Sequence, residues 1–163
     1  MLRPRRGNAG GQAEERDVAI AKRRENWSKV AALKAKSMNL GILLAVALGG
    51  AFGSLLRYGV ASAIPSPASA GFPWGILVVN VTGGFLMGVI VELGALKFSL
   101  APELRAFLTI GILGGYTTFS TFSLDSVLLL QRGAYASAAL YIGGSVLLSI
   151  TALFGGLTLV RAL

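Results

Sequence analysis

The chain has 163 residues, of which 54% are apolar and 13% are charged, and its mean hydropathy is +0.70. This composition is too apolar for a soluble domain of this length and predicts a small integral membrane protein. The chain contains no cysteine and no histidine, which excludes disulfides, zinc sites with the usual ligands and catalytic triads, so an enzyme is the least favoured class.

The net charge of +8 is concentrated near the N-terminus. Residues 1–38 contain ten Lys or Arg and four acidic residues, whereas the remaining 125 residues contain five and three. The sequence therefore divides into a basic hydrophilic extension, residues 1–38, and a nearly neutral apolar domain, residues 39–163.

The extension has three interpretations. It can be a signal peptide, a cytosolic segment with a helix over Gln12–Ser37 on anionic lipid, or an artefact of a mis-assigned start if translation begins at Met38. The cytosolic segment is preferred to the signal peptide because the extension is long and charged and no cleavage site follows the first apolar run. Nucleic-acid binding is disfavoured, because acidic residues are interspersed among the basic ones.

Four apolar segments are long enough to cross a bilayer. The first, Leu40–Ile64, is interrupted by Arg57; its 25 residues would extend about 38 Å as a helix, against a hydrocarbon layer of about 30 Å. The others are Trp74–Leu96, Leu104–Leu130 and Ala134–Val160. The chain is therefore predicted to be an all-α, multi-pass protein of the cell inner membrane.

The placement of basic residues predicts the orientation of these helices. With the N-terminus inside, thirteen Lys or Arg lie on the cytoplasmic side and two lie towards the outside. Without the extension the count is three against two, which gives almost no bias. The extension would therefore determine the topology.

The third segment contains GILGGYTTFSTFSLDS, Gly111–Ser126, whose hydroxyls and paired glycines are unusual for a helix in lipid. The run Gly114–Thr118 predicts a break in this helix near the membrane centre. A break frees backbone carbonyls, which are tolerated only when they are buried in protein or bound to an ion. The hydroxyl and phenylalanine residues that follow would then line a path.

Other polar groups lie at bilayer depth. Asn80 requires a polar partner or a wet path, because a lone buried amide is costly. Tyr141, Ser145 and Ser149 are spaced four apart and form one stripe, although a serine in a membrane helix can also bond its own backbone. Hydroxyls can donate to an anion without trapping it by positive charge.

Three further patterns concern aromatic, small and charged residues. Phe119 and Phe122 share a helical face, either as core packing or with their positive ring edges towards an anion. Gly49 and Gly53 on the first helix and Gly84 and Gly88 on the second have the spacing of close-packed helix pairs. The charged candidates for a pore vestibule are Arg57 and Asp125.

The apolar domain resembles the CrcB/Fluc family of fluoride channels. The resemblance rests on GGAFGSLLRY (Gly49–Tyr58), NVTGGFLMG (Asn80–Gly88), GGYTTFSTFS (Gly114–Ser123) and the Tyr141/Ser145/Ser149 stripe, which occur in order and cover all four helices. The extension has no counterpart in the family pattern.

The resemblance implies an antiparallel dimer with two passive fluoride pores, which export fluoride and lower its toxicity in the cytoplasm. It also implies a structural Na⁺ at the dimer interface, held by the backbone carbonyls of Gly114 and Thr117. Asp125 stands where many members have Glu, and its shorter side chain reaches less far. The resemblance assigns the fluoride pathway to Asn80, Phe119, Phe122, Thr118, Ser120, Thr121, Tyr141, Ser145 and Ser149.

An antiparallel homodimer conflicts with the charge bias of the extension. Either translation begins at Met38, or the chain forms a heterodimer with an oppositely oriented relative. Two rival functions are a small dual-topology multidrug-type exporter and a non-conducting membrane scaffold. The first is disfavoured because the first helix has Arg57 and no acid, and the second because a scaffold does not need the hydroxyl-rich stretch.

Overall fold

A computed structural model of the chain describes residues 9–36, 39–64, 71–96 and 100–163. The chain divides into two compact units, Met1–Asn39 and Leu40–Leu163. The first unit contains helix α1, Ala9–Lys36. Met38, the alternative start, lies outside the described residues.

The second unit contains four membrane spans among its described residues, as predicted. The first two are the continuous helices α2, Leu40–Ala63, and α3, Trp74–Leu96. The last is α7, Tyr135–Arg161. The third span, Pro102–Gln131, consists of α4 (Pro102–Ala106), a π-helix (Phe107–Leu113), α5 (Gly114–Tyr116) and α6 (Phe119–Gln131).

The predicted break in the third span is confirmed, and it lies at Thr117 and Thr118. Both residues have extended backbone, with φ −76° and ψ 156° at Thr117 and φ −151° and ψ 128° at Thr118. The π-helix that leads up to the break was not predicted, because FLTIGIL has the ordinary composition of an apolar helix. The helix α6 ends in a turn at Gly133, whose positive φ of 72° suits glycine.

The glycines of α2 allow it to lie directly on the backbone of the third span. A Cβ atom at Gly49 would come within 2.6 Å of the Phe107 carbonyl oxygen, and one at Gly53 would collide with the Ile112 carbonyl. Gly111 meets the same surface of α2 from the other side, since its Cβ would come within 2.9 Å of the Gly49 Cα. Such contacts are typical of small-residue crossings in membranes.

The helices α3 and α7 form the most extensive contact of the unit, and it is also built on glycine. A Cβ atom at Gly84 would come within 2.7 Å of the Ser149 carbonyl oxygen, and one at Gly156 would collide with the Phe85 carbonyl. Near the ends of the two helices, Arg161 Nε donates to Glu92 Oε1 at 2.7 Å. This crossing places the polar face of α7 beside Asn80 of α3.

Candidate functional site

A groove of about 540 Å³ lies where α3, the broken third span and α7 meet. It brings together eight of the residues that the sequence singled out, from three helices that are distant along the chain. These eight residues are Asn80, Gly114, Thr117, Thr118, Phe119, Phe122, Ser145 and Ser149.

Asn80 binds the backbone of the break through both ends of its amide. Its Nδ2 donates to the Thr118 carbonyl oxygen at 3.2 Å, and its Oδ1 accepts from the Thr118 N–H at 2.9 Å. The side chain thereby takes the place of the helical partners that Thr118 has lost. Asn80 therefore has the polar partner that its depth in the membrane requires.

The side chain of Thr118 caps the helix that follows the break. Its Oγ1 accepts from the Thr121 N–H at 3.3 Å and donates to Thr121 Oγ1 at 3.2 Å. The Ser120 hydroxyl lies 3.3 Å from the same Oγ1. Ser120 and Thr121 are thus bonded to the N-terminal cap of α6 and do not line the groove.

Ser145 and Ser149 differ from the other hydroxyl residues of the spans. Their Oγ atoms are buried, and neither has a hydrogen-bond partner among the described residues. Elsewhere in the spans, a hydroxyl commonly donates to the carbonyl four residues earlier, as it does at Thr82, Thr109, Thr117, Ser123, Ser126 and Thr158. The two groove serines are therefore free to donate to a ligand.

Aromatic side chains form the other wall of the groove. The rings of Phe119 and Phe122 lie 5.6 Å apart between centroids, at 42° to each other. Phe119 is 77% exposed in the single chain. Behind Phe122 lies Tyr141, completely buried, whose ring is 5.4 Å from that of Phe122 and whose hydroxyl donates to Asp125 at 3.3 Å. Tyr141 and Asp125 therefore support this wall without lining the groove.

The carbonyls of the break face two different environments. Arg57 Nη1 of α2 donates to the Thr117 carbonyl oxygen at 3.3 Å. The Gly114 carbonyl would normally accept from the Thr118 N–H, which here donates to Asn80. Gly114 is exposed and lines the groove. Arg57 is not part of the groove lining.

Six lining residues were not predicted as part of the site, although Gly84 was predicted as a packing glycine. Gly83, Gly84 and Met87 lie on the same face of α3 as Asn80. The helical period could therefore have identified them as groove residues. Val146, Ile150 and Leu153 flank the serines and carry no signal that separates a groove wall from a lipid-facing surface.

The sequence of the chain is similar to proteins of one known family. Residues 44–157 match the family model described as CrcB-like protein, Camphor Resistance (CrcB). A protein of Rhodospirillum centenum named fluoride-specific ion channel FluC is 51% identical over 120 residues, which are 74% of this chain and 95% of the relative. A protein of the same name from Nitrobacter winogradskyi is 50% identical over 126 residues, 77% of this chain and 100% of the relative.

Proposed function

The chain belongs to the CrcB family, and from this we propose that it is a fluoride-selective passive channel. It exports fluoride down its electrochemical gradient and so lowers fluoride toxicity in the cytoplasm. It has the four spans of a multi-pass membrane protein, and because its relatives are bacterial channel proteins, we place it in the inner membrane. The single structural observation that supports this proposal is the pair of buried hydroxyls at Ser145 and Ser149 in the groove, which have no partner among the described residues.

The groove offers hydrogen-bond donors to an anion without a fixed positive charge. A hydrogen bond to a charged group contributes about 1.5–3 kcal/mol, so two hydroxyls can replace part of the water around a small anion. The ring edges of Phe119 and Phe122 carry partial positive charge and suit the same ligand. No Lys or Arg lines the groove within the described chain, so the anion is not trapped there.

The direction of flow follows from chemistry outside the protein. Hydrogen fluoride crosses membranes as a neutral weak acid and dissociates inside, where fluoride accumulates. An inside-negative potential drives an anion outward with about 2.3 kcal/mol per charge per 100 mV. A passive pore is therefore sufficient for export.

The pore is completed by a second chain. Phe119 lines the groove and is 77% exposed in the single chain, so a partner could cover it. The family resemblance implies an antiparallel arrangement. Because the extension gives a bias of thirteen basic residues against two, the partner is either a second copy of this chain that inserts the other way up or an oppositely oriented relative.

A structural Na⁺ between the two chains would be held by backbone carbonyls of the break. The Gly114 carbonyl suits this role, because Gly114 lines the groove and the Thr118 N–H that would normally bond this carbonyl donates to Asn80. The Thr117 carbonyl already accepts from Arg57 and would use its second lone pair. When bound, the ion would supply a fixed positive charge that holds two breaks together.

The proposal is tested by fluoride efflux from liposomes that contain the purified chain, recorded with a fluoride electrode and repeated with chloride. We expect fast fluoride efflux that spares chloride, and a decrease of at least about tenfold in Phe119→Ile, equivalent to about 1.4 kcal/mol on the barrier. The matched control is Phe154→Ile, which changes an exposed phenylalanine of α7 outside the groove.

Equal chloride efflux, or an unaffected Phe119→Ile channel, would contradict the proposal. If folded protein gives no efflux at all, co-expression with a version that starts at Met38 decides the cause. Efflux restored by this version means that an oppositely oriented chain was missing, whereas continued silence overturns the function.

A further inference from the structure

One face of helix α1 in the N-terminal extension carries basic and large apolar side chains together. They are Arg16, Ile20, Arg23, Arg24 and Trp27; each lies three or four residues from another member of the set, which places all five on one side of the helix. All five are exposed, with Ile20 at 52% and Trp27 at 68%. We call this surface the arginine–tryptophan face.

The opposite side of α1 is electrically balanced. Glu15, Lys22, Glu25 and Lys29 lie there at the same helical spacing, and Lys29 Nζ forms an ion pair with Glu25 Oε1 at 2.6 Å. This is the one ion pair among the side chains that the structure describes in α1, at residues 15–29. The excess positive charge of this part of the helix therefore belongs to the arginine–tryptophan face, with Asp17 at its border.

We propose that the arginine–tryptophan face binds an anionic phospholipid surface. Guanidinium groups pair with phosphate through two parallel hydrogen bonds, and tryptophan favours the headgroup region of a bilayer. Three residues, 37–39, separate the end of α1 from the start of the membrane span α2 along the chain, so the face is covalently tethered close to lipid. The cytoplasmic leaflet carries anionic lipid, which attracts such basic segments.

Charge supplies most of this attraction, because the face has only two large apolar side chains. Binding should therefore be sensitive to salt and to the fraction of anionic lipid. The extension lies outside residues 44–157, which match the family model. The inference is thus separate from fluoride conduction and does not depend on it.

The experiment uses Trp27 as its own reporter. The chain has two tryptophans, so Trp74→Phe leaves Trp27 as the single tryptophan of the full-length protein, and its emission is excited apart from that of tyrosine. We would place this protein in nanodiscs of phosphatidylcholine, or of phosphatidylcholine with about one-third phosphatidylglycerol, and measure quenching by acrylamide. In the anionic discs we expect a blue shift of the emission and a decrease of about threefold in the quenching constant. Salt at about 1 M, where the Debye length is about 3 Å, should remove the difference.

Two double variants that lose the same charge separate the face from net charge. Arg16→Gln/Arg23→Gln should lose at least about half of the protection, whereas Lys22→Gln/Lys29→Gln on the opposite side should keep it. Glutamine retains good helix propensity, so the helix is preserved in both.

Three results would overturn the proposal. The first is equal quenching of Trp27 in the two kinds of disc. The second is equal loss of protection in the two double variants, which would mean that only net charge matters. The third is protection by a DNA duplex added to neutral discs without protection by anionic lipid, which would assign the face to nucleic acid.

Discussion

The helix break and the serine pair of α7 lie on the same groove but use their polar atoms in opposite ways. At the break, the N–H, carbonyl and hydroxyl of Thr118 all have partners, as do the carbonyl and hydroxyl of Thr117. At Ser145 and Ser149, both hydroxyls are buried and have no partner in the described part of the chain. Apart from the Gly114 carbonyl, whose usual partner donates to Asn80, the break is therefore a self-contained polar structure, whereas the serine pair is left open for a ligand.

The same comparison explains how a costly arrangement can persist. An unsatisfied buried polar group costs about 1–3 kcal/mol, and the hydroxyl of Ser126 avoids that cost by donating to the Phe122 carbonyl at 2.7 Å. Ser145 and Ser149 do not use this route. An arrangement that lowers stability and faces a groove is typical of a site that exchanges its partners during function.

The largest effect is expected from a substitution that removes the hydrogen bonds between Asn80 and the helix break. Asn80→Ala would leave the N–H and carbonyl of Thr118 without partners, at a cost of about 1–3 kcal/mol each. We expect a strongly lowered melting temperature in detergent and little monodisperse protein, measured by size-exclusion chromatography after heating. Asn26→Ala, at an exposed position of α1, is the control and should behave as the unmodified chain does. An unchanged melting temperature in Asn80→Ala would show that the break does not depend on this clamp.

The second largest effect is expected at the serine pair of α7, whose hydroxyls are left open for a ligand. Ser145→Ala/Ser149→Ala should decrease fluoride efflux by at least about tenfold, because hydrogen bonds of about 1.5–3 kcal/mol each to the ion are lost. Its melting temperature should stay equal or rise, since two unsatisfied hydroxyls have been removed.

The control for this pair is Ser126→Ala, which removes a hydroxyl of α6 that is bonded to its own helix and lies outside the groove. Its efflux should be unchanged. A serine double variant that melts much earlier and conducts normally would reverse the assignment of the two regions.

The sequence predicted the spans and the break because both depend on local composition. Apolar length determines the spans, and the Gly114-Gly115 pair followed by hydroxyls identified the break. The roles of the eight groove residues stay predictions, but all eight were singled out from the sequence, because a polar or aromatic side chain or a Gly-Gly pair in such a segment needs an explanation. The π-helix Phe107–Leu113 and the walls at Val146 and Ile150 were not, since nothing in an apolar run distinguishes packing against a groove from packing against lipid.

Helical spacing predicted which residues lie on the same face of a helix, but it did not predict which contacts each side chain makes. Tyr141 has the spacing of Ser145 and Ser149, yet it is covered by Phe72 and Phe122 and bonded to Asp125. Ser120 and Thr121 follow the break closely but belong to the cap of α6. In each case the deciding contact comes from the folded backbone or from a distant helix, which a period along one segment cannot reveal. Whether these three residues contact fluoride stays a prediction, as it does for the other residues assigned to the pathway.

The smallest effect is expected at Arg57, which joins α2 to the break by one hydrogen bond of 3.3 Å. Arg57→Gln removes the charge and shortens the donor, so we expect a loss of stability of about 0.5–1.5 kcal/mol, read from the melting temperature.

If Arg57 acts through the Thr117 carbonyl, the dependence of fluoride efflux on ionic strength should be the same in Arg57→Gln as in the unmodified chain. A vestibule charge that attracts fluoride instead makes efflux decline with salt, because salt screens long-range attraction. In that case Arg57→Gln would flatten the salt dependence while Arg57→Lys would preserve it, and Arg57 would belong to the open side of the comparison together with the serine pair.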